Sequence, residues 1–536
     1  MSLADTITDW RRGATIYQIY PRSFADSNGD GIGDLPGITA KLDYVAALNV
    51  DAIWLSPFFV SPMKDFGYDI SDPIDVDPIF GRLADFDALL ERAHALGLKV
   101  IIDQVYSHVS DRHPWFQESR ASRCNPRADW FVWADPKPDG SPPNNWQSVF
   151  YGPSWTWDAR RGQYFLHNFL PEQPDLNTTN PEVQAALLSI ARFWLDRGVD
   201  GFRLDAVNFL MHDEALRDNP PELEDRPKTR PFDFQRHVHN QSNPRIAEFL
   251  ERLQAVVDER PGRMTVAEVG GDHALGEMRE FTRGPRRLNT AYGFDFLYAA
   301  DVTAERIRAA MEGWSPEQAD GGWPSWAFSN HDTPRAISRW WSETACEAAA
   351  RLALLLLVSL RGNIFLYQGE ELGLPQAEVP FERLRDAEAI ANWPSTLGRD
   401  GARTPMPWSR TAPHAGFSTN APWLPLDPRH AARAVDVQVD DPDSVLSFAR
   451  RALALRRDRP ELRQGGLRML AAPAPLIAFE RGDAGAPLTC VFNPGEAQAV
   501  DFPAPGRRVL LGVCGVEPGP APGRLGPLQG YVAETL

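Results

Sequence analysis

The sequence predicts an α/β fold: a (β/α)8 barrel carrying an inserted loop-rich subdomain after strand 3 and a C-terminal antiparallel β-domain. Three observations predict it: eight short apolar runs along the first 370 residues, helical periodicity between them, and a tail that turns Pro/Gly-rich with short β-like runs. The first four runs are ATIYQIY (14–20), VDAIWLS (50–56), LKVIIDQV (98–105) and VDGFRLDA (199–206). The series continues with RMTVAEV (263–269), YGFDF (292–296), WPSWAFSN (323–330) and NIFLYQG (363–369). Eight runs alternating with helices are what a closed parallel barrel needs. Among the helices, FDALLERAHAL (86–96) and PEVQAALLSIARFWL (181–195) show the 3.6-residue repeat, and Asn180 before Pro181 reads as a cap with proline in the first turn.

The spacing of runs is interrupted twice. From residue 105 to 177 the chain is rich in Trp, Pro, Asn and Asp without periodicity, which reads as an inserted subdomain, and 213–244 reads as a second insertion after the fourth strand. Both are expected to wall the barrel mouth. The expected division is therefore barrel at 1–104, inserted subdomain at 105–177, barrel again at 178–460, and a β-domain at 461–536 preceded by the helix DSVLSFARRALAL (443–455).

Composition narrows the function classes. With 72 acidic against 55 basic side chains the net charge is −17, which repels phosphate backbones and anionic lipid, so neither nucleic acid nor membrane is an expected partner. The most apolar stretch, Leu352 to Leu360, is too short to span a bilayer, and the opening MSLADTITDWRRGATIY lacks the pattern of a secretory leader. Four scattered cysteines (Cys124, Cys346, Cys490, Cys514) form neither a zinc pattern nor a disulfide framework. A cytoplasmic location is expected, with the periplasm as the alternative, and either a monomer or a homodimer.

In such a barrel, chemistry gathers at the C-terminal ends of strands. Asp103 (VIIDQ), Asp205 (GFRLDA), Glu268 (TVAEVG) and Asp332 (SNHD) end or follow apolar runs. Any one of them alone reads equally well as a helix cap. A cap does not explain why Arg203 lies two residues before Asp205 on the same strand face, or why His331 adjoins Asp332. Two carboxyls opposed across a pocket are what glycosidic cleavage requires, one ionised and one protonated. On this reading Arg203 keeps Asp205 ionised, while apolar neighbours push Glu268 towards protonation.

These residues resemble the α-amylase clan of glycoside hydrolases, family 13, and within it the oligo-1,6-glucosidase and α-glucosidase branch. DQVYSH (103–108), GFRLDAVN (201–208), AEVG (267–270) and SNHD (329–332) look like the clan's four short regions, QPDLN (173–177) like its fifth, and RDGARTPMPW (399–408) like the branch's late signature. The resemblance implies Asp205 as nucleophile, Glu268 as general acid and then base, and Asp332 as transition-state stabiliser, with Arg203, His108 and His331 lining the same glucose site. It also implies that Asp69 (GYDI) and Arg399 (RDG) grip the non-reducing glucose, which gives exo-action. Ala206, following the nucleophile, is similar to the α-1,4-specific members. Ser107 stands where calcium-dependent amylases carry Asn, so no cation is expected between barrel and inserted subdomain.

Near the start, Asp26, Asn28, Asp30, Ile32 and Asp34 resemble the ligand positions of an EF-hand loop, with Gly31 at the turn, and a structural Ca2+ or Mg2+ is expected there. No organic cofactor is expected. The expected activity is thus an exo-acting, retaining α-glucosidase on short α-glucosides, with transglucosylation alongside. The alternatives are a transglycosylase or a sucrose- or trehalose-converting isomerase of the same clan, and, more remotely, a non-catalytic transporter-associated homologue.

Overall fold

The computed structural model describes residues 9–225, 228–314, 321–396, 398–483 and 485–536. Eight parallel strands carry the architecture: β1 (Thr15–Ile19), β2 (Ala52–Leu55), β3 (Lys99–Val105), β4 (Gly201–Asp205), β5 (Met264–Glu268), β6 (Thr290–Tyr292), β7 (Ser325–Ala327) and β8 (Asn363–Tyr367). Their order is β6-β5-β4-β3-β2-β1-β8-β7, and a parallel bridge between Ala291 and Pro324 joins the two ends, so the sheet is a nearly closed barrel. Seven strands fall within the expected runs. The sixth lies earlier than expected, at 290–292, because YGFDF contributes only Tyr292 to the sheet and Gly293–Phe296 already forms the loop beyond it.

Alternation along each strand sorts the side chains. On β4, Phe202 and Leu204 pack outward into the layer between barrel and helices, while Arg203 and Asp205 face the interior. On β5, Met264 and Val266 point inward with Trp54, Ile101, Tyr292 and Phe365, and Glu268 follows in the same phase at the strand's C-terminal end. Inter-strand register places Arg203 between Asp103 of β3 and Val266 of β5, and sets Glu268 beside Tyr292 of β6. Charge is thus carried into the barrel top only at strand ends. Below it the interior is mostly apolar, with the hydrogen-bonded side chains of Thr290, Ser325 and Asn363 at its base.

The outer helices follow their sequence signals. Helix α1 (Leu83–Ala95) buries Phe86, Leu89, Leu90 and Ala93 on one stripe. Helix α2 (Pro181–Arg197) starts with the Asn180 side chain accepting the Glu182 N–H and stops at Gly198 in the left-handed conformation (φ 106°), a conformation glycine adopts without steric cost. Helix α3 (Cys346–Ser359) contains the apolar run noted above. Leu352, Leu355 and Leu356 are all buried, and the helix packs between α4 (Val445–Asp458) and strands of the C-terminal sheet. Packing on two sides buries the apolar run, and no helix among the described residues is long and apolar enough to cross a membrane. Helix α4 begins two residues later than expected, where Ser444 accepts the Ser447 N–H.

The segment after β3 folds into a three-stranded antiparallel sheet, with Gln163–Leu166 between Trp133–Ala134 and Trp155–Asp158. The stretch after β4 docks on it: the Trp146 indole donates to Arg217 O at 2.8 Å, and Asn145 and Asn219 bond each other in both directions at 2.9 and 2.8 Å. At the C-terminus six strands pair antiparallel, from Leu467–Met469 at one edge to Gly519–Pro520 at the other.

Candidate active site

Strand ends deliver three carboxylates to one guanidinium. Arg203 is fully buried; its Nη1 lies 2.8 Å from Asp103 Oδ1 and 2.5 Å from Asp205 Oδ1, and its Nη2 lies 2.5 Å from Glu268 Oε1. The Tyr292 hydroxyl accepts from Arg203 Nε and Nη2 (3.1 and 2.9 Å) and donates to Glu268 Oε1 (3.1 Å). Ala206 holds a left-handed backbone (φ 41°), and its N–H reaches Glu268 Oε2 at 3.1 Å, tying the residue after Asp205 directly to the second acid. Trp54 Nε1 and the Tyr68 hydroxyl satisfy Asp103 Oδ2.

Arg203 was expected to keep Asp205 ionised; the same guanidinium bonds Glu268 as well. Burial raises Asp103 to about 6 and Asp205 to about 7, and Arg203 offsets only part of that rise. Burial also raises Glu268 to about 7, with Asp205 and Asp332 adding repulsion against the pull of Arg203. One positive charge cannot neutralise three desolvated carboxylates, so the group retains a proton at neutral pH, and its members titrate together.

Loops supply the other side. Asp332 accepts from Arg403 Nη2 at 2.7 Å and lies 3.4 Å from Arg399 Nη1 and 3.2 Å from His331 Nε2. Burial works against its charge, but His331, Arg403 and Arg399 outweigh burial and hold it well below the usual carboxylate range. His331 stacks against Tyr20 and Tyr68 (ring centroids 5.5 Å in each case). Gln18 donates to its Nδ1, which leaves the proton on Nε2, where it is donated to the Tyr68 hydroxyl at 2.6 Å, and burial lowers its pKa to about 3, so the ring is neutral. His108, also lowered by burial to about 4, is held by Ser107 Oγ and by the Tyr68 carbonyl.

Arg399 does not meet Asp69. The Asp69 carboxylate is fully buried within its own turn, accepting from Ser61 Oγ, Lys64 N and Asp65 N at 2.9 Å each. The partner of Arg399 is Asp65, four residues earlier, at 2.9 Å, together with Asp386 at 2.8 Å. A carboxylate whose oxygens already take three short local bonds is turned into its loop, and the tight turn through Phe66 (φ 51°) and Gly67 (φ 112°) separates the two acids. Gln173, from QPDLN, donates to Asp65 Oδ2, and the Phe150 ring lies 4.6 Å from the Arg399 guanidinium. Besides Asp65, sequence reasoning missed Tyr68, Tyr292, Asp386 and Arg403. Arg403 stood inside the quoted RDGARTPMPW motif, while Asp386 had no signal beyond an ordinary helix cap, which it also is.

In the loop from Asp26 to Asp34, the side chains of Asp26, Asn28 and Asp30 each accept the backbone N–H two residues on, at 3.0, 2.8 and 2.8 Å. Gly31 has φ 90°, and a Cβ there would lie 2.3 Å from Ala421 O. Asp34 caps the following helix through Gly37 N and takes Ser27 N and Oγ on its other oxygen. Among the described residues, no three or more His, Cys, Asp or Glu side chains gather as a metal cluster. A cation here would rely on the mixed oxygen set of Asp26, Asn28, Asp30 and the Ile32 carbonyl, with Asp34 keeping spare lone pairs; that hard-oxygen set fits Ca2+ or Mg2+.

Comparison with known proteins agrees with this geometry. The family model described as "Alpha amylase, catalytic domain" matches residues 18–465, and a second, "Domain of unknown function (DUF3459)", matches 462–533. The chain is 52% identical over 506 residues to a probable alpha-glucosidase of Rhizobium meliloti (strain 1021), covering 93% of this chain and 92% of that one. It is 36% identical over 547 residues to an oligo-1,6-glucosidase of Heyndrickxia coagulans, covering 94% and 96%. Among solved structures, the alpha-glucosyl transfer enzyme XgtA superposes with TM-score 0.93 at 51% identity over 99% of this chain and 100% of that one. The trehalulose synthase MutB from Pseudomonas mesoacidophila MX-45 superposes with TM-score 0.89 at 31% identity over 98% and 99%. A barrel topped by this carboxylate cluster, matched along nearly its whole length, is an enzyme of the α-amylase catalytic-domain family, glycoside hydrolase family 13.

Proposed function

We propose that the protein is an exo-acting, retaining α-glucosidase releasing glucose from the non-reducing end of short α-glucosides such as maltose. The observation that carries this reading is the bridging of Asp205 and Glu268 by one guanidinium. Two carboxyls so close suit the roughly 5–5.5 Å separation of double displacement, rather than the ~6.5–9.5 Å that leaves room for a water between them. In the first step Asp205 attacks the anomeric carbon while protonated Glu268 gives its proton to the leaving oxygen. In the second, ionised Glu268 takes a proton from water as that water's oxygen attacks the same carbon and the Asp205 ester bond breaks. Asp332, ionised between two arginines, suits the sugar hydroxyls, whose bonds strengthen as positive charge develops on the ring.

Exo-action follows from Arg399 with Asp65 and Asp386, which closes the glucose pocket at one end. The small Ala206 beside the second acid supports α-1,4 linkages, a preference worth only ~1–3 kcal/mol. Capture of the glucosyl ester by a sugar hydroxyl instead of water gives transfer, and the half-identical relative named as a transfer enzyme supports that branch. We further propose that Ca2+ or Mg2+ binds the Asp26–Asp34 loop and stabilises the fold without entering the chemistry.

The test is product analysis with maltose, isomaltose, sucrose and trehalose, with the first-formed anomer followed by proton NMR. α-Glucose as the first product from maltose is expected. β-Glucose first, or no glucose from any of the four, would overturn the reading.

A further inference from the structure

A cavity of about 590 Å3 lies apart from the carboxylate cluster, in the seam between the inserted subdomain and the stretch after β4. Asn145, Gln147, Asn219, Arg230, Phe234 and Gln235 line it. Three features give its chemistry. First, it is rich in carboxamides, and two shielded polar atoms in its wall, Gln235 Oε1 and Arg230 Nε, have no hydrogen-bond partner among the described residues. The Gln235 amide is held by its other end, Nε2 donating to Asn145 O at 2.7 Å, so the acceptor oxygen is fixed in place. Buried polar atoms without partners are costly and call for a ligand or water. Second, Phe234 is 57% exposed, with the Lys228 ammonium 5.7 Å from its ring centroid. Third, the Arg230 charge is engaged by Asp233 (3.0 Å) and Glu388 (3.3 Å), while the Lys228 ammonium, also in the lining, bonds the Glu224 carbonyl and brings a further donor to the wall.

Carboxamides, one orphan acceptor, donors on Arg230 and Lys228 and one exposed aromatic ring suit the hydroxyls and C–H face of a polyhydroxylated ring. The volume is that of an ordinary small-ligand pocket. The cavity is linked to the glucose site through a neighbouring loop. Asn145 and Gln147 enter a tight loop closed by the Gln147–Pro153 bridge, and its Phe150 faces Arg399 at 4.6 Å. Asn392 donates both to Phe150 O and to Glu388 O (2.8 and 2.9 Å), linking that loop to the residue that pairs with Arg230.

We propose that this pocket is a second sugar site, binding a neutral pyranose with its hydroxyls on Gln235, Asn145 and Arg230 and its C–H face on Phe234. The ring has two sources, the reducing-end tail of a glucoside seated in the catalytic pocket or a free sugar; only the first rests on the α-glucosidase reading above.

The test compares wild type with Phe234→Ala and Gln235→Ala, neither of which touches a barrel strand. Two quantities are read: kcat/KM on maltotetraose relative to p-nitrophenyl α-glucoside, and glucose bound per chain by equilibrium dialysis. A substrate tail lowers the ratio about tenfold in both variants, through KM. A free sugar leaves the ratio alone and lowers bound glucose from two per chain to one. A wild type that binds one glucose, with both variants unchanged in binding and within about twofold in the ratio, overturns the proposal. Wild type without turnover of p-nitrophenyl α-glucoside would instead overturn the α-glucosidase reading, and the glucose count would still decide the pocket.

Discussion

Two arginine-centred clusters face each other across the barrel mouth, and they differ in their ratio of charges. On the strand side, Arg203 alone serves Asp103, Asp205 and Glu268. On the loop side, Arg399 and Arg403 together serve Asp65, Asp332 and Asp386. With one cation for three acids, burial wins and all three rise to about 6 or 7. With two cations for three acids, attraction wins for Asp332 and Asp386, which fall below their usual value against burial, and Asp65 alone rises. Similar desolvation therefore leaves protons on the strand side and ionised Asp332 and Asp386 on the loop side, where a second guanidinium and, for Asp332, His331 add attraction. A reaction that needs both a proton donor and fixed negative charge can draw on both.

The largest effect should come from the strand side. Asp205→Ala and Glu268→Gln should each lower kcat/KM on p-nitrophenyl α-glucoside by about 10⁴-fold or more, with an unchanged far-UV circular dichroism spectrum. Near-wild-type turnover in either variant would leave the cluster without its chemical meaning.

Next in size, Asp65→Ala should raise KM by about 10- to 100-fold, the worth of a charge-assisted bond. Asp69→Ala should mainly lower the free energy of unfolding, by about 1–3 kcal/mol for orphaned N–H groups in its turn, read as a lower melting temperature. The reverse pattern would restore Asp69 as the glucose ligand and remove Asp65 from the loop-side cluster.

The pH dependence separates the two sides by sign. Glu268 rises from its ordinary 4.5 to about 7, so between those values the folded chain binds more protons than the unfolded one, and stability falls as pH rises through that window. Asp332 is lowered, so its contribution is present above its ordinary 3.8 and lost as pH falls further. Thermal melts of Glu268→Gln should show a shallower decline from pH 5 to 8 than wild type, whereas Asp332→Asn should flatten only the acid end. An unchanged slope in Glu268→Gln would place the retained proton on another acid of the cluster.

The smallest effect concerns the Asp26–Asp34 loop. Removing divalent cations with a chelator should lower the melting temperature by a few degrees, restored by millimolar Ca2+ or Mg2+, since binding at 100 times Kd is worth about 2.7 kcal/mol. Asp30→Ala should abolish the difference, and no response in wild type would leave the loop as a self-bonded turn.

Much of this was legible along the chain. Period-two alternation put Arg203 and Asp205 on one face of β4, and apolar runs fixed seven of the eight strands, because strand identity and side-chain phase are local properties. The sixth strand was misplaced because its inward Tyr292 opens an aromatic run that continues as a loop. The acids themselves, ending apolar runs, were also local signals.

What the sequence could not determine is which charge meets which. Asp65 and Asp69 lie four residues apart in one turn, and only the fold directs one to Arg399, more than 300 positions away, and the other into its own loop. Nor does spacing reveal that Arg203 is shared by three carboxylates contributed by β3, β4 and β5, or that two arginines converge on Asp332. Residue type and periodicity are written in order along the chain. Electrostatic balance depends on distances and desolvation that exist only once the barrel closes and the loops fold over its mouth.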